Sequence, residues 1–284
     1  MFFNWMKTAV LLALLSGLLL FVGNYLGGQQ GLTIALGMAF LMNFASYWFS
    51  DKIVLAMYGA KPISETDAPG LHKLVEELSA RAGIPKPRLY LMQTHVPNAF
   101  ATGRNPAHGV VAVTTGLLQT LDRRELGGVL AHELSHIKHY DTLIATMAAT
   151  IAAAISYLGH MLYFFGGRGG SDRDDRPNPG IALAMMIVAP FIAGLIQMAV
   201  SRSREYAADE RGARIAGEAG ALASALRKLQ AAAHARPFAG AQATEHLFIV
   251  NPFRGLRGFQ LFSTHPSTEE RVRRLEALAA ELGG

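Results

Sequence analysis

The chain contains no cysteine and few charged residues. Without cysteine it has no disulfide scaffold, thiolate zinc site, iron–sulfur cluster or cysteine nucleophile. The compartment stays open on this ground alone. Asp, Glu, Lys and Arg make up 17% of the 284 residues, against about 25% in a soluble domain. The shortfall is concentrated in four windows that lack all four residue types: Thr8–Gly27, Leu32–Phe49, Thr142–Phe165 and Ile181–Val200. Each is about as long as the roughly 20 helical residues that cross a hydrocarbon core of about 30 Å. An ordinary soluble globule, a disordered chain and a collagen-like chain are excluded. The formal net charge is +5. No block is basic enough, or interleaved with aromatics, to expect a nucleic-acid partner; the expected surroundings are a lipid bilayer.

The windows divide the chain. Residues 1–50 are expected to form a two-helix membrane anchor. The apolar run after MFFNWMK is longer than the 7–15 residues of a signal-peptide core, and a second run follows at once, so it reads as uncleaved. Gly27, Gly28 and Gly31 mark the turn, and Tyr47 and Trp48 end the second run where aromatic belts form. Residues 51–141 read as the first part of a folded domain. Leu71, Leu74, Val75 and Leu78 form a helical stripe ended by Gly83 and Pro85. PRLYLMQ and GVVAVTT read as strands. Asp122 and Glu125 have the spacing of a capping box opening a helix that continues through Tyr140. Residues 142–200 read as a membrane hairpin around the Gly-, Asp- and Pro-rich loop 166–180. Residues 201–284 complete the domain with three helices. The expected fold class is an α+β membrane protein: a mainly helical domain, a small β-sheet and four transmembrane helices.

His132-Glu133-Leu134-Ser135-His136 matches HExxH. Residues four apart share a helix face one turn apart, so His132 and His136 can close on one Zn²⁺. Glu133, beside the first ligand, can act as general base toward a water. A catalytic zinc needs a third protein ligand and an open position. The metzincin position holds Thr142. His139 would lie roughly 10 Å along the axis from His132, too far for one straight helix to aim all three rings at one ion, and reads as a surface or interfacial histidine. Glu205 in SRSREYAADE is the remaining candidate, with Asp209 one turn on as the carboxylate that could orient a ligand histidine.

Topology links these residues. His136 precedes the third window and Glu205 follows the fourth. Two crossings, or none, leave both on one side of a membrane, where they can share one ion. A single crossing would separate them.

HELSHIKHYD, SRSREYAAD, PNAFATGR and FSTHPSTEER together resemble the HtpX family of membrane-bound zinc metalloproteases, gluzincins related to the CAAX prenyl proteases. The resemblance runs over essentially the whole chain. It implies a gluzincin-type domain and one zinc per chain on His132, His136 and Glu205. It also implies Glu133 as catalytic residue and Asp209 behind the ligands. Asn98 and Ala99 resemble an edge segment that binds peptide substrate, and His265 a catalytic histidine near the transition state. His139 departs from the small polar residue expected there. The implied function is hydrolysis of polypeptides, chiefly misfolded or damaged membrane proteins, in quality control and stress response. Arg104 or His265 is expected at the developing oxyanion, and GVVAVTT as a strand edge for the substrate. A CAAX-type prenyl protease is an alternative, although such proteins usually have more spans. A non-catalytic membrane scaffold with structural zinc is another, but it would have no need of Glu133.

Orientation follows from basic residues near span ends. Ten lie on the domain side (Lys7, Lys52, Lys61, Arg123, Arg124, Lys138, Arg202, Arg204, Arg211 and Arg214), against three in the loop (Arg168, Arg173 and Arg176). The expected location is a bacterial inner membrane, crossed several times, with the protease domain in the cytoplasm.

Overall fold

The computed structural model describes residues 2–145, 202–235, 249 and 266–282. The third and fourth apolar windows, apart from the first residues of the third, the loop 166–180 and His265 lie outside them.

The N-terminal helix α1, Phe2–Met57, is interrupted at Gly28, whose φ of 54° and ψ of −136° break the helix. Glycine reaches this region without a Cβ clash. One residue thus makes the turn that three glycines suggested. Gly31 already belongs to the second arm, where a Cβ would lie 2.0 Å from the Gly23 carbonyl oxygen. The arms touch backbone to backbone there, as small residues permit between apolar helices. Asn43 Nδ2 donates to Ser16 Oγ across the hairpin at 2.8 Å. Among the described residues one helix, Gly28–Met57, is long and apolar enough to cross a membrane.

The last turns of α1 enter the domain. Val54 and Leu55 are buried against Met92, Phe100, Val110 and Ala112. The sheet comprises β1 (Lys61–Pro62), β2 (Arg88–Met92), β3 (Ala99–Thr102) and β4 (Val110–Thr114) in the order β1-β2-β4-β3. β2 and β4 run parallel and the other pairs antiparallel. All five residues of β4 are buried. Alternate side chains point to opposite faces, so Val110 and Ala112 join the α1 cluster while Val111 and Val113 join the main core.

That main core is helical. In α2 (Pro69–Ala82) the stripe Leu71, Leu74, Val75 and Leu78 is buried as its period demands. A short helix α3 (Thr115–Thr120) precedes α4 (Arg123–Lys138). The α4 capping box is complete: Asp122 Oδ1 accepts the Arg124 and Glu125 N–H groups, and Glu125 Oε2 accepts the Asp122 N–H at 3.0 Å. Helices α5 (Arg202–Ala216), α6 (Ala219–Ala235) and α7 (Thr268–Leu282) close over α4. Leu222, Leu226 and Leu229 of α6 and Val272, Leu275 and Leu278 of α7 fill the space between them.

The α4 helix does not run on through Tyr140. It stops at Lys138, with His139 as C-cap. Tyr140 has φ +62°, and the chain is helical again from 141. A left-handed tyrosine costs about 1–2 kcal/mol. In an unbroken helix residue 141 would point away from His136; the break turns Asp141 back, and its Oδ2 lies 3.3 Å from His136 Nδ1.

Candidate metal centre

His132 Nε2, His136 Nε2 and a Glu205 carboxylate oxygen lie within 4.8 Å of one another. The two Nε2 atoms are 3.2 Å apart. Glu205 Oε2 lies 3.7 Å from His132 Nε2, and Oε1 lies 3.6 Å from His136 Nε2. A tetrahedral ion bound at 2.0–2.2 Å spaces its donors roughly 3.3–3.6 Å apart. The group therefore fits one metal ion with little adjustment.

The outer groups favour the same reading. His132 Nδ1 lies 2.9 Å from Asp209 Oδ1. The Asp141 carboxylate takes the N–H at His136 Nδ1 and the Asp209 carboxylate stands against His132 Nδ1, so both rings turn Nε2 toward one point. Two facing lone pairs repel unless a cation or a proton lies between them. The His136 imidazole is pushed down by burial, yet the Asp141 hydrogen bond and the Glu205 and Glu133 carboxylates push it up to about 9. The field is that of a cation site.

Asp209 is itself held. Arg271 Nε and Nη2 donate to its two oxygens, each at 2.7 Å, and Arg271 Nη1 donates to the Ile249 carbonyl at 2.8 Å. Arg271 is the largest fully buried side chain among the described residues. Burial pushes the Asp209 carboxyl up, but the Arg271 guanidinium outweighs this and holds it below the usual range. Arg204 Nη1 sits 3.7 Å from Asp141 Oδ1. Both carboxylates behind the histidines thus face an arginine.

Backbone packing brings the ligand helices together. Glu205, Asp209 and Gly212 share one face of α5, and a Cβ on Gly212 would lie 2.8 Å from both the N and the Cα of His132. Only glycine admits this approach.

Glu133 is buried beside the group. Burial pushes its carboxyl above the usual range, although His132 and His136 oppose this. The Ala101 backbone of β3 opposes the rise as well. Among the described residues β3 is an edge strand. Its neighbour β4 is paired on both sides, so the β4 segment GVVAVTT offers no free edge, contrary to expectation. Asn98 turns inward: its carbonyl accepts the Thr114 N–H and its Oδ1 accepts the Ile249 N–H. Backbone direction alternates along a strand, so Ala99 and Ala101 present theirs to the open side, toward Glu133.

Other expectations are displaced. Arg104 is engaged by other partners, its guanidinium 4.6 Å over the Trp48 ring and hydrogen-bonded to His108. His139, in line with the expectation, is a half-buried cap outside the converging group. Asp141, Arg271, Arg204 and Gly212 were not singled out in the sequence. Arg271 carries a signal: it shares the apolar face of α7 with Leu275 and Leu278, where a charge requires a buried partner.

The peptidase family M48 model matches residues 65–279. The chain belongs to peptidase family M48. As an M48 member it is a metalloprotease, a hydrolase of peptide bonds. A "Protease HtpX homolog" of Pyrococcus furiosus is 54% identical over 281 residues, covering 98% of this chain and 97% of that protein. Another from Paraburkholderia phytofirmans is 52% identical over 280 residues, covering 98% of each. The fold is similar to that of S. mikatae Ste24p, with a TM-score of 0.51 and 18% identity over 97% of this chain and 67% of that one.

Proposed function

We propose that this M48 peptidase is a zinc endopeptidase that cuts misfolded or damaged membrane proteins at the cytoplasmic face of a bacterial inner membrane. The observation that carries the reading is the convergence of His132, His136 and Glu205 on one point beside buried Glu133. One zinc per chain, when bound there, polarises the scissile carbonyl and acidifies a water.

The protein's own groups do the rest. Glu133 takes the water's proton on its carboxylate and passes it to the leaving amine. An extended peptide pairs with the open edge of β3 at Ala99 and Ala101, which carries its backbone to Glu133. Backbone pairing reads little sequence and suits damaged substrates. The test is Glu133→Gln, measured as metal content and as cleavage of an unfolded substrate. The variant should fold and keep its metal, yet not cleave. Wild-type turnover would remove the general-base role; an inactive wild type with full metal would favour a structural zinc scaffold.

Close packing of α4 and α5 supports an even number of crossings by residues 142–200; the two apolar windows there favour two over none, and thus four spans in all. The excess of basic residues on the domain side supports a cytoplasmic domain. A reporter fused after Gly284 should then be active in the cytoplasm. Activity of a reporter that works only outside the cytoplasm would overturn the orientation.

A further inference from the structure

A second site lies where α1 leaves its apolar stretch. A cavity of about 350 Å³ is lined by Tyr47, Trp48, Phe49, Asp51 and Lys52 among other residues of α1, together with Arg88, Arg104 and His108. No member of the metal group borders it.

Position sets its surroundings. Before it, α1 exposes apolar side chains over more than one face, among them Leu41, 64% exposed, Phe44, 48%, and Trp48, 44%. These residues are spaced i, i+3, i+7 and lead along the helix into the cavity. Beyond it, Val54 and Leu55 are buried in the domain. The run of exposed large apolar residues breaks after Phe49, to return only at Met57, and charge begins at Asp51. The cavity therefore straddles the level at which a bilayer gives way to water.

Its charges are unbalanced. Asp51 is taken by Arg88, with Nη2 to Oδ2 at 3.1 Å. Lys52 and Arg104 have no carboxylate partner among the described residues. Lys52 Nζ stands 5.4 Å over the Phe49 ring. Arg104 is held in place by the Trp48 ring and by His108, whose Nε2 accepts from Nη2 at 2.9 Å. His108 Nδ1 donates to Asn105 Oδ1 at 2.7 Å, which fixes that ring with Nε2 as acceptor. The remaining guanidinium N–H groups of Arg104 and the Lys52 ammonium are left for an anion. Arginine beside lysine suits a phosphate, and tryptophan and tyrosine suit the headgroup level.

We propose that this cavity binds the headgroup of an anionic phospholipid. The phosphate lies between Lys52 and Arg104, and an acyl chain follows Leu41, Phe44 and Trp48. The proposal rests on the membrane reading of α1 and is independent of the peptidase chemistry.

The sequence has two tryptophans, Trp5 and Trp48, so Trp5→Phe makes Trp48 the sole reporter in the full-length protein. The delipidated protein in detergent is titrated with acyl-brominated phosphatidylglycerol, with brominated phosphatidylcholine, and with phosphatidylglycerol in competition with inorganic phosphate. Phosphatidylglycerol should quench Trp48 at roughly ten- to thirtyfold lower concentration than phosphatidylcholine. The preference should vanish in Lys52→Gln/Arg104→Gln and survive in Lys61→Gln, a charge removed outside the cavity. Inorganic phosphate alone should displace the lipid poorly, because it lacks the acyl contact. Equal quenching by both lipids, or a preference kept in the double variant, overturns the proposal. So does full displacement by millimolar phosphate. No quenching by either lipid would instead refute membrane contact at this end of α1. If the double variant does not fold, exposed Lys52→Glu alone should reduce the preference several-fold, and an unchanged preference again overturns it.

Discussion

Gly212→Ala adds one methyl group where α5 meets the HExxH helix. Two effects oppose each other. Replacing glycine with alanine inside a helix gains about 1 kcal/mol of helix propensity. The new Cβ, however, lies 2.8 Å from His132 N and Cα and 3.2 Å from the Ala131 carbonyl carbon. Ordinary carbon contacts are about 3.5–4.0 Å, so the helices must part by roughly 0.7 Å. The obstacles are backbone atoms that cannot swing aside, and overpacking of this kind costs about 1–3 kcal/mol. The clash wins, and stability falls by up to about 2 kcal/mol. The metal site suffers more. Glu205 moves with α5 while the histidines stay on α4, and metal distances tolerate only about 0.2 Å. Metal affinity should fall roughly 10- to 100-fold, like the loss of an outer-shell partner. Gly220 is the control: a Cβ there meets nothing within 4 Å, and Gly220→Ala should stabilise by about 0.4–1 kcal/mol. Chelator competition measures the affinity and thermal unfolding in detergent the stability. If Gly212→Ala matches Gly220→Ala in stability and wild type in affinity, the close approach of α4 and α5 is wrong.

Two further outcomes follow from the geometry. Glu205→Ala should lose metal binding sharply while retaining the helical signal, as measured by metal analysis and circular dichroism; full occupancy would falsify the ligand assignment. Glu125 joins the capping box to α6 through Ser224 Oγ and Lys228 Nζ, each at 2.7 Å. Burial pushes its carboxyl up, but Lys228, Ser224 and the Asp122 N–H outweigh this and hold it below the ordinary value. A lowered native pKa stabilises above the unfolded pKa, and the contribution fades as pH falls through the native one. Glu125→Gln should therefore cost about 1–3 kcal/mol at neutral pH, and the gap should narrow below about pH 4. Unfolding of the metal-free protein at both pH values reads this out; a pH-independent gap would show that Glu125 acts by packing alone.

Local chemistry made much of this protein legible in advance. The spacing of His132, Glu133 and His136 needs only a helix to become two ligands and a base. The Asp122–Glu125 box, the α2 stripe and the two strands arise from interactions within a few residues of chain. The pairing of Glu205 and Asp209 was readable for the same reason, as one turn of one helix. Contacts between distant segments were not. Arg271 reaches Asp209 across 62 positions of sequence. Gly212 matters only because His132 is opposite it. Strand order made β3 rather than β4 the open edge, and hydrophobicity cannot tell the two when both are buried. The left-handed Tyr140 opposes its own residue preference, so no propensity announces it; packing enforces it and thereby brings Asp141 to His136. Sequence periodicity records what each segment does with its own neighbours. Which buried charges meet, and which backbones touch, is decided when separate helices compete for the same space in the folded core.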